Sequence, residues 1–216
     1  MDKNVPVPSI EDLFADLKHP NPRIQEDACA IMVEHYSQEA LPRLIDLLTD
    51  KDPKVYRAAV KGIGFFGTPA FAPLLDLYAT TDNQTARRCC PKAFVQLFKN
   101  HPNQSFPDEV MALLENGIHD DDMVVVQGVL MCLGQIGKQE VKATEAIQIL
   151  SKSLKSDNIA LVYSASQALA DIPDPESEKA LQSLLQDAND PMIKEAAESA
   201  LARLNNLMAT QSRSQS

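Results

Sequence analysis

The stretch Leu47-Leu48-Thr49-Asp50-Lys51-Asp52-Pro53-Lys54-Val55-Tyr56-Arg57-Ala58-Ala59-Val60-Lys61-Gly62-Ile63-Gly64 decides the fold. An apolar run ends in an Asp-bearing turn. Asp52 is placed to accept from the first free N–H groups of a new helix, and Pro53 tolerates the first helical position because its missing N–H has no partner there. Val55, Ala59 and Ile63 then follow at helical spacing, an anchor with a small residue four later and a large apolar one eight later.

The same triplet recurs along the chain. Anchors fall at Ile24, Val55, Ala86, Val125, Leu161 and Ile193, with steps of 31, 31, 39, 36 and 32 residues. The small positions are Ala28, Ala59, Cys90, Val129, Ala165 and Ala197. The large positions are Met32, Ile63, Phe94, Leu133, Leu169 and Leu201. A period of this length with two helices per copy means stacked helical hairpins, each too small to bury its apolar face alone. The expected fold is therefore all-α: a right-handed α-solenoid of about six hairpins. Residues 1–8 form a lead, 9–207 the solenoid and 208–216 a disordered, Ser/Gln-rich tail.

Within this frame, Ser9 caps a first helix with Asp12 three residues on, and Arg23 to His35 makes the second. Leu41 to Leu48 opens repeat two, with Pro42 in its first turn. Gly62 and Gly64 mark a close backbone approach, since Gly is costly inside a helix. Repeat three runs from Phe71 to Tyr78 and from Thr85 to Lys99, with Pro91 expected to kink its second helix. The insertion from Asn100 to Pro107 explains the 39-residue step. The remaining helices are read over 109–117, 123–136, 144–154, 159–170, 176–185 and 191–207.

Composition narrows the partners. Net charge is −10 over 216 residues, so a phosphate backbone would be repelled and nucleic acid is excluded as an expected partner. No 18-residue apolar run offers a membrane span. The start lacks the charged-then-apolar layout of a signal peptide, and four unevenly spaced cysteines do not form a disulfide framework, which together predict a cytoplasmic protein.

The 52–64 phrase resembles a HEAT-like repeat of the phycobilisome-lyase type, with 125–137 and 193–204 as weaker copies. The resemblance covers roughly residues 10–207 and implies a protein that recognises other proteins, akin to E/F-type phycobilin lyases or phycobilisome-turnover factors of cyanobacteria. On that resemblance the partner is a phycobiliprotein or a lyase partner subunit held in a concave face lined by second helices, and a phycobilin is the cofactor at issue. A non-catalytic adaptor and a lyase-like enzyme both remain open. A second resemblance, to a HEAT-repeat partner of an iron–sulfur scaffold, gives an alternative function using Cys89 or Cys132. Similarity to deoxyhypusine hydroxylase fails on its ligands, because the paired His-Glu motif is missing and Glu34-His35 is reversed.

No Ser/His/Asp set, phosphate loop or four-ligand metal set is visible, so no catalytic residue, resident metal or stoichiometric zinc or iron is expected. The four histidines read as caps and surface residues. Asp120-Asp121-Asp122 reads as a helix-capping turn, with recruitment of a cation or basic partner as the alternative. The most unusual local sequence is Arg87-Arg88-Cys89-Cys90-Pro91. Cys90 takes the small inner position. Cys89, about 100° away, is expected to face elsewhere, with the arginines favouring its thiolate. Tyr56, Arg57, Arg87, Arg88 and Cys89 are the expected partner-binding residues. Arginines suit a carboxylate, such as a bilin propionate or an acidic partner; the alternative is that Arg57 and Arg88 brace the turns against Asp52 and Asp82.

Overall fold

A computed structural model describes residues 6–139 and 141–214. The described chain contains eleven α-helices and no strand: α1 Ile10–Asp16, α2 Pro22–Asp46, α3 Pro53–Ile63, α4 Phe71–Thr80, α5 Gln84–Asn100, α6 Asp108–Gly117, α7 Met123–Ile136, α8 Ala143–Ser153, α9 Ile159–Ala170, α10 Pro175–Asp187 and α11 Pro191–Ser214. They gather into two compact units, Met1–Phe106 and Pro107–Ser216, divided at the end of the inserted loop. Each unit is a stack of three hairpins.

The repeat register is the packing register. All six small positions are buried, and so are five of the six large ones; Leu201 alone is half-buried, and Leu204, three residues on, is fully buried. In unit 1 the second helices stack in order, α2 on α3 and α3 on α5, while α4 backs onto α5. In unit 2, α7 packs on α9 and α9 on α11, with α6, α8 and α10 on their outer sides. Small residues at these contacts let the helix axes approach. Where Gly64 meets α5, an added Cβ would lie 2.5 Å from the Gln96 Cβ, so a side chain there would force the two helices to shift. At Gly62 the neighbours are Leu44 and the Cys29 thiol, at 3.3 and 3.6 Å.

The turns before α2, α3, α5, α7 and α9 are built from a repeated two-step cap. Asp52 N–H donates to Asp50 Oδ1 at 2.7 Å, and Asp52 Oδ1 accepts from Lys54 N–H at 2.9 Å. Asp120 and Asp122 do the same for α7, both at 2.9 Å. Ser156 and Asn158 repeat it for α9, as do Thr81 and Asn83 for α5. In repeat one His19 Nδ1 takes the first role, accepting from Asn21 N–H at 3.0 Å, and Asn21 caps α2. Each cap satisfies a donor that the first helical turn leaves without a partner. At α1, Ser9 Oγ accepts from Asp12 N–H and donates to the Asp12 carboxylate at 2.6 Å.

Several boundaries differ from the sequence reading. The helices expected over 23–35 and 41–48 join into α2, bent at Tyr36, where φ is −133° and ψ 23°. No Gly or Pro lies between residues 35 and 41 to stop the chain, so a single non-helical residue turns the corner. The Tyr36 hydroxyl, 3.0 Å from the Pro8 carbonyl oxygen, ties the bend to the lead. Pro42 therefore sits inside a helix rather than in its first turn. Pro91 is buried inside α5, which continues through it to Asn100. The tail also departs from expectation. α11 runs to Ser214, because no breaker follows Leu207 and the Thr210 and Ser212 hydroxyls donate back to the carbonyls of Asn206 and Met208. Residues 215 and 216 lie outside the described residues.

The insertion after α5 is a working part of the core. It returns Phe106 to the α4–α5 hairpin, edge-on to Phe98 at 4.8 Å and 6.0 Å from Phe71, which also stacks on Phe94 at 6.0 Å. This four-ring cluster gives repeat three an aromatic centre.

Candidate functional site

The residues singled out in sequence fall on α3 and α5, which pack directly against each other in unit 1. Tyr56 and Arg57 follow the anchor of α3; Arg87 and Arg88 follow the anchor of α5 at the same two positions. The stack brings the two helices together, but it separates the side chains by direction. The Arg87 guanidinium lies over the Tyr78 ring at 4.9 Å, on the α4 side of α5. Arg57, exposed, leans toward the Tyr56 ring at 6.0 Å. Arg88 is half-buried on α5.

Cys89 does not do what its neighbours suggested. It is 2% exposed, and Cys90 is fully buried. The expectation that one thiol must face away fails because α5 is covered on two sides, by α4 and by α3. Its buried residues are Ala86, Cys89, Cys90, Pro91, Ala93, Phe94, Leu97 and Phe98, a stripe too broad for one contact. Burial also raises the Cys89 pKa above the ordinary 9.0; Lys92 and Arg57 pull the other way without overcoming it. The expected thiolate is therefore a protonated thiol. Burial pushes Cys90 and Cys29 up to about 12 each, and raises Cys132 as well. All four cysteines are free and buried.

Among the described residues, no group of three or more His, Cys, Asp or Glu side chains is placed to hold a metal ion. No described helix is long and apolar enough to cross a membrane. Asp120 and Asp122 are occupied in capping α7, which accounts for that acidic turn. His101 sits against the Phe65 carbonyl oxygen at 3.1 Å, joining the inserted loop to the end of α3. Phe66 is buried and Phe65 half-buried at the end of α3.

What sequence reading missed is the contrast between solvent-facing sides of the second helices. In unit 2, Met131, Ile159, Tyr163 and Met192 are exposed at 59%, 37%, 54% and 66%. They lie on α7, α9 and α11. In unit 1, α3 and α5 carry Arg57, Lys61, Arg88 and Lys92 outside their buried stripes. Part of the signal was present in the sequence. Counting two and six residues on from each anchor finds Arg57, Lys61, Arg88 and Lys92 in unit 1, and Met131 and Tyr163 in unit 2.

Helical hairpins repeated with buried small positions define an α-solenoid of the HEAT and armadillo class. The match to the HEAT-repeat model over residues 10–89 and 111–202 shows that the chain belongs to the HEAT-repeat family. It is 44% identical over 182 residues to the bilin biosynthesis protein CpeZ of Synechococcus sp. (strain WH8020), covering 84% of this chain and 98% of that protein. It is 32% identical over 198 residues to the uncharacterized phycocyanin operon protein Z of Pseudanabaena tenuis (strain PCC 7409), covering 91% and 95%. Among solved structures, a designed armadillo-repeat protein in complex with the peptide (KR)4 superposes with TM-score 0.52 at 16% identity, covering 91% of this chain and all of that one. The chain is thus a HEAT-repeat protein similar along most of its length to proteins named for bilin biosynthesis and for the phycocyanin operon.

Proposed function

We propose that this chain is a non-catalytic binding protein of bilin biosynthesis, which captures a phycobiliprotein subunit or a lyase partner subunit on the faces of its second helices. The observation that carries this reading is the 44% identity to a bilin biosynthesis protein along 98% of that protein's length. The local chemistry agrees with binding rather than covalent transfer. Every thiol is buried and held protonated, so the chain offers no poised sulfur nucleophile. A phycobilin, on this reading, is carried by the captured partner. The surface around Tyr56, Arg57 and Arg88 is the proposed contact, with Arg87 supporting it through Tyr78 and Cys89 packed beneath.

The iron–sulfur alternative gains no support from the geometry. Cys89 and Cys132 are buried, and among the described residues no group of three or more His, Cys, Asp or Glu side chains gathers at either.

The test is retention of purified phycobiliprotein α and β subunits, with and without bilin, on the immobilised chain. Stoichiometric retention of a subunit is expected. If neither subunit is retained in either form, the reading is overturned.

A further inference from the structure

The outward face of the second helices carries a charge pattern that packing does not require. Two and six residues past each anchor, repeat one has Glu26 and Ala30, repeat four Gln127 and Met131, repeat five Tyr163 and Gln167, and repeat six Glu195 and Ser199. Repeats two and three have Arg57 and Lys61, then Arg88 and Lys92. All the cations of this row thus fall on two adjacent helices of one unit, in a chain of net charge −10.

The stacking of α3 on α5 brings them into one patch. Arg57 of α3 and Lys92 of α5 are both close enough to act electrostatically on the Cys89 sulfur. Lys61 closes the patch on the α2 side, 3.2 Å from Glu26 and 3.5 Å from Gln25. Among the described residues, no carboxylate forms an ion pair with Arg57 or Lys92. The row does not brace the fold at these two positions, which leaves it able to face a partner.

We propose that the α3–α5 face is a docking surface for an acidic polypeptide segment, whose carboxylates pair with Arg57 and Lys92. A polypeptide fits better than a nucleic acid. A short acidic segment meets only the local patch, whereas a long polyphosphate would also face the acidic remainder of the chain. This inference rests on the reading of the chain as a protein-binding repeat protein and names the chemistry its partner must carry.

The test uses the full chain and a fluorescein-labelled octaglutamate peptide, followed by anisotropy from about 0.1 M salt upward, where the screening length is about 10 Å or less. The parent binds, and binding weakens as salt is raised. Arg57→Gln with Lys92→Gln weakens it by about tenfold or more, because both charges of the pair are lost. Lys152→Gln with Lys155→Gln, which removes the same charge from unit 2, changes it less than about twofold. The charge-retaining Arg57→Lys with Lys92→Arg keeps most of the binding, and circular dichroism stays helical throughout. Absence of peptide binding by the parent overturns the proposal. So does equal loss in both glutamine pairs, or equally tight binding of a single-stranded oligonucleotide. Subunit capture separates the two readings. Capture that survives Arg57→Gln with Lys92→Gln sinks the docking surface alone, while failure of the parent to capture any subunit sinks the proposed function itself.

Discussion

The two units bury their second helices by one rule and clothe them by two. In unit 1, α3 and α5 turn Arg57, Lys61, Arg88 and Lys92 outward. In unit 2, α7, α9 and α11 turn out Met131, Ile159, Tyr163 and Met192. The buried positions hardly vary, because a small residue at each helix contact sets the spacing of the stack. The outward positions answer to nothing inside, so they are where units of one fold can differ in what they meet. Fold and recognition are written at interleaved positions of the same helices.

The largest effects should come from breaking the shared interior, and they should be unequal. Phe94 is fully buried and stacks on Phe71. Phe94→Ala should cost about 3–5 kcal/mol. Leu201 holds the equivalent large position but is half-buried, so Leu201→Ala should cost less than about 2 kcal/mol. Chemical denaturation of both variants checks the ordering; equal losses would mean that repeat six packs as tightly as repeat three.

A sharper comparison uses Gly64 and Gly134, which hold the same position relative to their anchors Val55 and Val125. A Cβ at Gly64 would lie 2.5 Å from the Gln96 Cβ, whereas at Gly134 the nearest atom, the Ala168 Cβ, is 3.2 Å away. Gly64→Ala should destabilise by about 1–3 kcal/mol, as overpacking does, and Gly134→Ala by less. At the small position, Ala59→Leu should cost about 1–3 kcal/mol for the same reason. Thermal unfolding of the three variants decides whether the register is right.

The thiols give a pH test. Their folded pKa values are raised, so each contributes stability that is complete below the ordinary value of 9.0 and is lost as pH climbs, toward about 12 for Cys90. At pH 7 none of the four should be alkylated by iodoacetamide at the rate of an exposed cysteine. As pH rises above the ordinary 9.0, Cys89, eased by Lys92 and Arg57, should label before Cys132, which burial alone governs. Mass spectrometry of the labelled peptides reads the order, and rapid labelling of Cys89 at neutral pH would restore a reactive thiol. The smallest effect belongs to the last turns of α11. The residues after Met208 are exposed where described, so truncation after Leu207 should change stability by less than about 0.5 kcal/mol. A fall in Tm of several degrees would show that those turns pack.

Much of this was legible in the chain. Asp52, Asn83, Asp122, Asn158 and Asp190 start their helices, and a cap acts within three residues of itself, so sequence suffices to place it. Met123–Ile136 and Ile159–Ala170 are bounded as the pattern places them. Where the local signal is absent the reading slipped. Nothing between His35 and Leu41 announces the bend at Tyr36, and nothing past Leu207 announces that α11 continues. The candidate site was legible only as a set of residues. Tyr56, Arg57 and Arg88 are on helices that meet, but Cys89 lies under them as packing.

By itself, then, the sequence determined the number of hairpins, their order and which side of each second helix is inner, since a 3.6-residue period fixes one face relative to its own hairpin partner. Only the tertiary structure decided what covers the other sides. A helix in a stack is touched by neighbours in earlier and later repeats, and that contact buried Cys89 against expectation. It also laid Arg87 on Tyr78, brought Phe106 back to Phe98, and put Arg57 and Lys92, 35 positions apart in the chain, on helices that pack together. Such contacts depend on distances between repeats, and periodicity within one helix carries no information about them.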